Sequence, residues 1–319
     1  MSNRLVVKSS PHLKSPMNTQ VIMRDVIIAL MPAFICSIII FGLRSLLLVT
    51  VCVASCVVFE YLSRMLMKRE NSISDLSAVV TGLLLAFNLP VTFPLWMAVI
   101  GAFFAIVIAK QLFGGLGQNF VNPAIAGRIF LLISFATPMT SWLLPQKGEG
   151  GIALVAGATP LALIGRGEKE ALPALTDMLL GMRGGCLGET AALALLAGAV
   201  YLLVRRVIHP VIPVTFLGTV FVLSLLLGQD PLYQLLSGGV ILGACFMATD
   251  YATSPATFKG RLIFAFGCGL ITMIIRVFGS YPEGVSFAIL FMNILTPHIN
   301  TLTRTKPFGV LEPSQEGRS

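Results

Sequence analysis

Asp25-Val-Ile-Ile-Ala-Leu-Met-Pro-Ala-Phe-Ile-Cys-Ser-Ile-Ile-Ile-Phe-Gly-Leu43 carries no charge after its first residue. An apolar run of about 20 residues is the length that takes an α-helix across a bilayer core. Comparable runs follow at about 45–66, 74–90, 93–110 and 123–140. A second set stands at about 188–204, 211–228, 233–249, 262–278 and 284–302. Between the sets lies a polar, Gly-rich segment, 141–187. The pattern predicts an all-α membrane protein of about ten transmembrane helices.

Composition agrees. Charged residues are 11% of the chain and apolar ones 56%, with a mean hydropathy of +0.89, whereas soluble domains carry about 25% charged residues. The net charge of +8 is spread singly or in pairs between apolar runs. That is the positive-inside pattern of a chain among membrane lipids and not a nucleic-acid-binding patch. With the N-terminus inside, 16 of the 22 Lys and Arg residues fall on cytoplasmic segments, Lys110 and Arg128 among them. The chain therefore divides into a cytoplasmic tail (1–24), a first five-helix half (25–140), an extracytoplasmic segment (141–187), a second five-helix half (188–302) and a cytoplasmic tail (303–319). No signal-cleavage pattern follows the first run.

Five spans per half is an odd number, so two similar halves would insert in opposite senses, as inverted repeats do. Asn119-Phe-Val-Asn-Pro-Ala-Ile-Ala-Gly-Arg128 and Asp250-Tyr-Ala-Thr-Ser-Pro-Ala-Thr-Phe-Lys-Gly-Arg261 share a polar start, Pro-Ala and Gly-Arg, though offset by one span. A channel or secondary transporter fits the same architecture.

Several stretches are candidates for chemistry. Lys110-Gln-Leu-Phe-Gly-Gly-Leu-Gly-Gln-Asn-Phe-Val-Asn-Pro-Ala is either a tight capped turn or a loop that binds a polar ring system, with Asn119 and Asn122 on one face. Gly181-Met-Arg-Gly-Gly-Cys-Leu-Gly-Glu-Thr190 is either a flexible helix entry or an anion cradle near Gly184, Gly185 and Gly188 beside Arg183. Glu60 is either a functional intramembrane carboxylate or the partner of Arg64, four residues on, in an i,i+4 pair near the interface. Asp250 lies at the inner mouth of the eighth span, beside Thr249, Thr253 and Ser254. Gly157-Ala-Thr-Pro160 places a hydroxyl in an exposed small-residue loop. The six cysteines (Cys36, Cys52, Cys56, Cys186, Cys245 and Cys268) form no CxxC. They read as packing residues, with a cluster ligand shared with another subunit as the alternative for Cys52 and Cys56. No metal site is expected, and His12, His209 and His298 stand apart.

Taken together, Ser10-Pro-His-Leu-Lys-Ser-Pro16, Phe113-Gly-Gly-Leu-Gly-Gln-Asn-Phe-Val-Asn-Pro-Ala124, Gly157-Ala-Thr-Pro160, Gly188-Glu-Thr190 and Ala248-Thr-Asp-Tyr-Ala-Thr-Ser-Pro255 occur in an order that resembles a known family. The family is the D subunits of the bacterial Rnf (Rsx) ion-translocating electron transport complexes, related to the B subunits of the sodium-translocating NADH:quinone reductases. The resemblance runs nearly end to end. It implies a multi-pass protein of the bacterial inner membrane, working inside a translocating oxidoreductase and not alone. It implies FMN joined through its phosphate to Thr159 by a flavin transferase, with Gly157 and Ala158 completing the motif. It further implies a non-covalent riboflavin, for which Asn119, Asn122 and Asp250 are the candidate pocket residues. Other members of the complex, including an extracytoplasmic flavoprotein, are the implied partners.

Overall fold

A computed structural model describes residues 18–148, 151–189, 191–279 and 283–304. The tail motif at 10–16, His12, Thr190 and most of both tails lie outside the described residues.

Helix α1 (Thr19–Phe41) starts at Asn18, whose side chain accepts from Val21 N and so satisfies one of the orphan amides of a helix start. Gly42, at φ 71°, turns the chain into α2 (Leu43–Leu66). Next, α3 (Ser77–Phe87) has only 11 residues, about 16 Å at 1.5 Å per residue and roughly half a hydrocarbon core. From its end the chain runs irregular yet buried through 88–91. It then enters α4 (Leu95–Gln111), whose final stretch, Phe104–Gln111, widens to π-helical geometry. Three glycines with left-handed backbone, Gly114, Gly115 and Gly117, reverse the chain before α5 (Pro123–Ser134). Their requirement is thus conformational.

After a short α6 (Ala136–Met139), the polar segment departs from the all-α expectation. Strands β1 (Leu143–Gly148) and β2 (Gly151–Ala156) pair antiparallel, with Leu143 opposite Ala156. Two short strands of mixed composition give no clear period-2 signal, so the hairpin was hidden in the sequence. Helices α7 (Pro160–Arg166) and α8 (Leu175–Leu180) complete the segment.

The second set comprises α9 (Ala192–Val204), α10 (Val211–Leu226), α11 (Pro231–Leu236), α12 (Val240–Leu242), α13 (Phe258–Phe278) and α14 (Val285–Leu302). The expected continuous span at 233–249 is instead broken. Ser237-Gly-Gly239 interrupts it, with Gly238 left-handed, and α12 passes directly into a π-helical stretch, Gly243–Met247. Each set thus sends a π-helical stretch into a polar loop, one ahead of α5 and the other ahead of α13.

Four helices, α1, α2, α13 and α14, are long and apolar enough to cross a membrane, and α3, α4, α5, α9 and α10 are shorter apolar helices. Contacts of α1 with α9 and of α5 with α14 join both sets around one core. Leu66, Val204 and Leu302 are 79%, 76% and 84% exposed. Large apolar side chains this bare on α2, α9 and α14 suit lipid and not water. The protein is a multi-pass membrane protein.

Candidate cofactor sites

On the face where α1 begins, the loop before α5 and the loop after α12 close over one cleft. Its enclosed space is about 80 Å³, below the range of about 300–1,000 Å³ usual for small-molecule sites. Asn119, Asn122 and Asp250 all line it, as do Lys110 and apolar walls from Val80, Leu84, Ile208 and Phe246. The three inner residues singled out in the sequence are therefore brought together from both halves.

Their duties differ. Asn122 caps α5, its Oδ1 accepting from Ala124 N at 3.0 Å and Ile125 N at 3.3 Å. Its Nδ2 donates to Met247 O at 3.3 Å, tying α5 to the second π-helical stretch. In the amide orientation that satisfies its neighbours, Asn293 accepts from Asn122 N and donates to Thr253 O. Asn119 is less committed: Nδ2 donates to Val121 O at 3.0 Å, and Oδ1 has no partner among the described residues. Asp250 accepts from Thr253 Oγ1 at 3.1 Å and Ala252 N at 3.4 Å. Burial pushes its carboxyl above the usual range, against the opposing pull of these bonds and of Lys110. The cleft thus offers a free amide oxygen and a carboxyl between apolar walls.

Behind this cleft the Glu60–Arg64 pair is replaced. Lys110 Nζ lies 2.6 Å from Glu60 Oε2 and 2.6 Å from Ser77 Oγ, and Ser72 donates to Glu60 Oε1 at 2.6 Å. Glu60 faces inward, whereas Arg64 turns along α2 toward Gly115, where no β-carbon obstructs its guanidinium.

The opposite face holds the other candidates. Thr159 is 6% exposed, not in an open loop. The reason is local: Thr-Pro is a capping pair, and Thr159 Oγ1 accepts from Ala162 N at 3.3 Å with Pro160 in the first turn of α7. Gly157 is exposed and Ala158 half-buried. Gly157 and Gly184 both pack on Leu144, and a β-carbon at Gly184 would sit 3.5 Å from Ala158 O. The 157–159 and 183–185 segments are thus neighbours, with Gly184 and Gly185 buried. Arg183 donates through Nη2 to Glu189 O, and its buried Nη1 has no hydrogen-bond partner among the described residues. Burial lowers its pKa to about 10, against the pull of Glu189. A buried donor without an acceptor is the feature a phosphate oxygen would complete.

Between the faces lies a polar cluster that the sequence pattern did not reveal. Arg128, a cytoplasmic charge by the count of basic residues, is only 3% exposed. Its guanidinium donates to Asn88 Oδ1 at 2.8 Å, Ser286 Oγ at 3.0 Å and Glu283, and stands 3.7 Å from Glu189. Cys186, Glu189 and Glu283 offer ligand atoms within 4.8 Å of one another, and Arg128 supplies the cation among them. Nearby, Leu187 N and Gly188 N donate to Leu89 O and Phe87 O at 3.1 and 2.9 Å. Arg276 bonds Gln234 O and Ser237 O at the α11 break. Lone charges inside apolar runs were the available signal for these residues. Setting Lys110 and Arg128 aside leaves the asymmetry of basic residues in place.

Residues 6–309 match the model of the NQR2, RnfD, RnfE family. The chain is 50% identical over 317 residues (99% of this chain, 98% of the relative) to the D subunit of the Na(+)-translocating ferredoxin:NAD(+) oxidoreductase complex of Acetobacterium woodii. Identity is 39% to the D subunit of the proton-translocating ferredoxin:NAD(+) oxidoreductase complex of Clostridium ljungdahlii, covering 96% of this chain and 97% of the relative. It is 42% to the D subunit of the ion-translocating oxidoreductase complex of Stutzerimonas stutzeri, covering 90% and 91%. Matching along almost its whole length, the chain belongs to the NQR2, RnfD, RnfE family.

Proposed function

We propose that the chain is the flavin-carrying D subunit, set in the membrane, of an ion-translocating ferredoxin:NAD+ oxidoreductase complex, passing electrons between the membrane faces in step with ion movement. Ten spans in two inverted five-helix halves would place both termini in the cytoplasm and the 141–187 segment outside. FMN is held by a phosphoester to Thr159, and riboflavin lies in the inner cleft beside Asn119 and Asp250. The relatives' names divide between sodium and protons, and either ion fits this role.

What supports the proposal is that Asn119 and Asp250 line one cleft, while Thr159 lies toward the other face beside the segment of Arg183, whose buried Nη1 lacks a partner among the described residues. Flavin supplies the electron chemistry, and the protein supplies position and electrostatics. On the outer side Arg183 offers its unpartnered donor to a phosphate, and Gly184 leaves the approach to Ala158 and Thr159 clear. Because Thr159 Oγ1 caps α7, the transferase must draw that hydroxyl away from Ala162 N before it is esterified. On the inner side Asn119 and Asp250 orient the ring edge, and Asn122 fixes the loop that presents them. An extracytoplasmic flavoprotein of the complex would exchange electrons with the outer site.

The test is a denaturing gel of the chain expressed with a flavin transferase. A fluorescent band at the chain's own mass is expected, and Thr159→Ala abolishes it while the protein still inserts. A dark wild-type band would favour the flavin-free transporter. A fluorescent Thr159→Ala band would move the attachment elsewhere.

A further inference from the structure

A second cleft adjoins the inner one, sharing Val207, Ile208, Thr249 and Tyr251 with it, and its reading does not require the flavin. It lies between the α9–α10 turn and the loop before α13, and encloses about 380 Å³. Arg206, His209, Arg261, Tyr251 and Ser254 line it, and no carboxylate does. The Arg206 guanidinium, the Tyr251 hydroxyl and the Ser254 hydroxyl have no hydrogen-bond partner among the described residues. Arg261 commits only Nε, to Pro255 O at 3.1 Å, leaving the outer fork of its guanidinium open. His209 Nδ1 accepts from Val211 N at 3.3 Å, which leaves Nε2 as the ring's donor. The neighbouring Arg205 is instead neutralised by Asp25, at 3.1 Å.

Backbone geometry adds a separate observation. Arg206 is left-handed, at φ 56°. It follows the end of α9, where Arg206 N bonds Leu203 O and Val207 N bonds Leu202 O. Glycine is the usual occupant of that position. A β-carbon is disfavoured there, yet the residue present carries a long cation into the cleft. The remaining walls are apolar, among them Leu203, Val207 and Ile212. Val204 and Phe258, at 76% and 58% exposure, continue the apolar surface outward on the flank that meets lipid.

We propose that this cleft binds the phosphate of an anionic phospholipid, with Arg206 and Arg261 as its cationic jaws and the acyl chains lying against Val204 and Phe258. Two guanidinium forks in a lining without a carboxylate suit a phosphate diester, and basic pockets between membrane helices take such headgroups. Inorganic phosphate shares the headgroup chemistry but has no use for the apolar flank.

Native mass spectrometry of the delipidated full-length chain tests this by titration with phosphatidylglycerol, phosphatidylcholine of the same chains, and inorganic phosphate. Wild type should favour phosphatidylglycerol over phosphatidylcholine by about tenfold. The Arg206→Gly/Arg261→Gln double variant should lose that preference, while Arg166→Gln, a smaller loss of charge on the other face, keeps it. Arg206→Gly alone should weaken binding without unfolding the chain, since glycine suits the left-handed backbone. Undiminished preference in the double variant, or none in wild type, would overturn the site. Binding of inorganic phosphate that the double variant abolishes, without any lipid preference, would reject the lipid.

Discussion

Lys110 and Glu60, fifty positions apart in sequence, form a 2.6 Å ion pair with both side chains at 1% exposure or less. The pair joins α2 to the π-helical end of α4 and backs the inner cleft. A buried pair of this kind adds little over an apolar substitute, but removing one partner is costly because the other charge stays buried. Lys110→Met should therefore destabilise the protein by about 3–5 kcal/mol. The Lys110→Met/Glu60→Gln double variant should recover much of that loss. Melting temperatures of the detergent-solubilised proteins check this, and a double variant as unstable as Lys110→Met would contradict it.

Asn119 and Asn122 should separate binding from folding. Asn122 caps α5 and holds Met247 O, so Asn122→Ala should cost about 0.5–2 kcal/mol of stability. Asn119→Ala gives up one side-chain bond, worth about 1 kcal/mol, yet should lower the non-covalent flavin content of the purified protein. Covalent flavin should be unchanged in both. Full retention of the extractable flavin by Asn119→Ala would remove that residue from the pocket.

Glycine substitutions offer a steric check on the mid-membrane packing. A β-carbon at Gly188 would lie 2.5 Å from the Phe87 Cβ, whereas one at Gly218 meets nothing within 4 Å. Gly188→Ala should cost about 1–3 kcal/mol. Gly218→Ala, in the interior of α10, should be neutral or stabilising by up to about 1 kcal/mol. Equal melting temperatures for the two variants would mean that the 186–189 loop does not sit against Phe87.

Asp250 should leave a pH signature. Its carboxyl is raised by burial, so the folded state holds the proton more tightly than the unfolded state does. The stabilisation is full below the ordinary carboxylate pKa and is lost as pH rises from about 4 toward the raised value. Asp250→Asn should flatten the melting temperature over that interval. An unchanged slope in the variant would assign it to another group.

The four long helices, α1, α2, α13 and α14, were legible because apolar runs of membrane length leave little choice. Interruptions were less so: Ser237-Gly-Gly239 inside an otherwise apolar run reads as tolerable until Arg276 is seen bonding the carbonyls at the break. The lining of the cleft was legible as residue types, since Asn119 and Asp250 stand in polar loops between apolar runs. Its electrostatics were not, because helix spacing offers Glu60 the neighbour Arg64 while the true partner arrives from another helix. Thr159 shows the opposite error. Small residues suggested exposure, but the capping preference of Thr-Pro turned the hydroxyl inward.

The bonds from Leu187 and Gly188 to the carbonyls of Leu89 and Phe87 bear on biogenesis. Helix α3 ends well short of a bilayer's thickness, so these carbonyls emerge from the ribosome with no acceptable partner in hydrocarbon. Their donors are synthesised about a hundred residues later, after the whole hairpin segment. Until then the first half must wait, shielded by the insertion machinery or held near the lipid headgroups. A chain truncated before position 187 would have no means of closing this gap and would be a substrate for membrane proteases. Synthesis thus commits to the finished bundle only when the second half begins to enter the membrane.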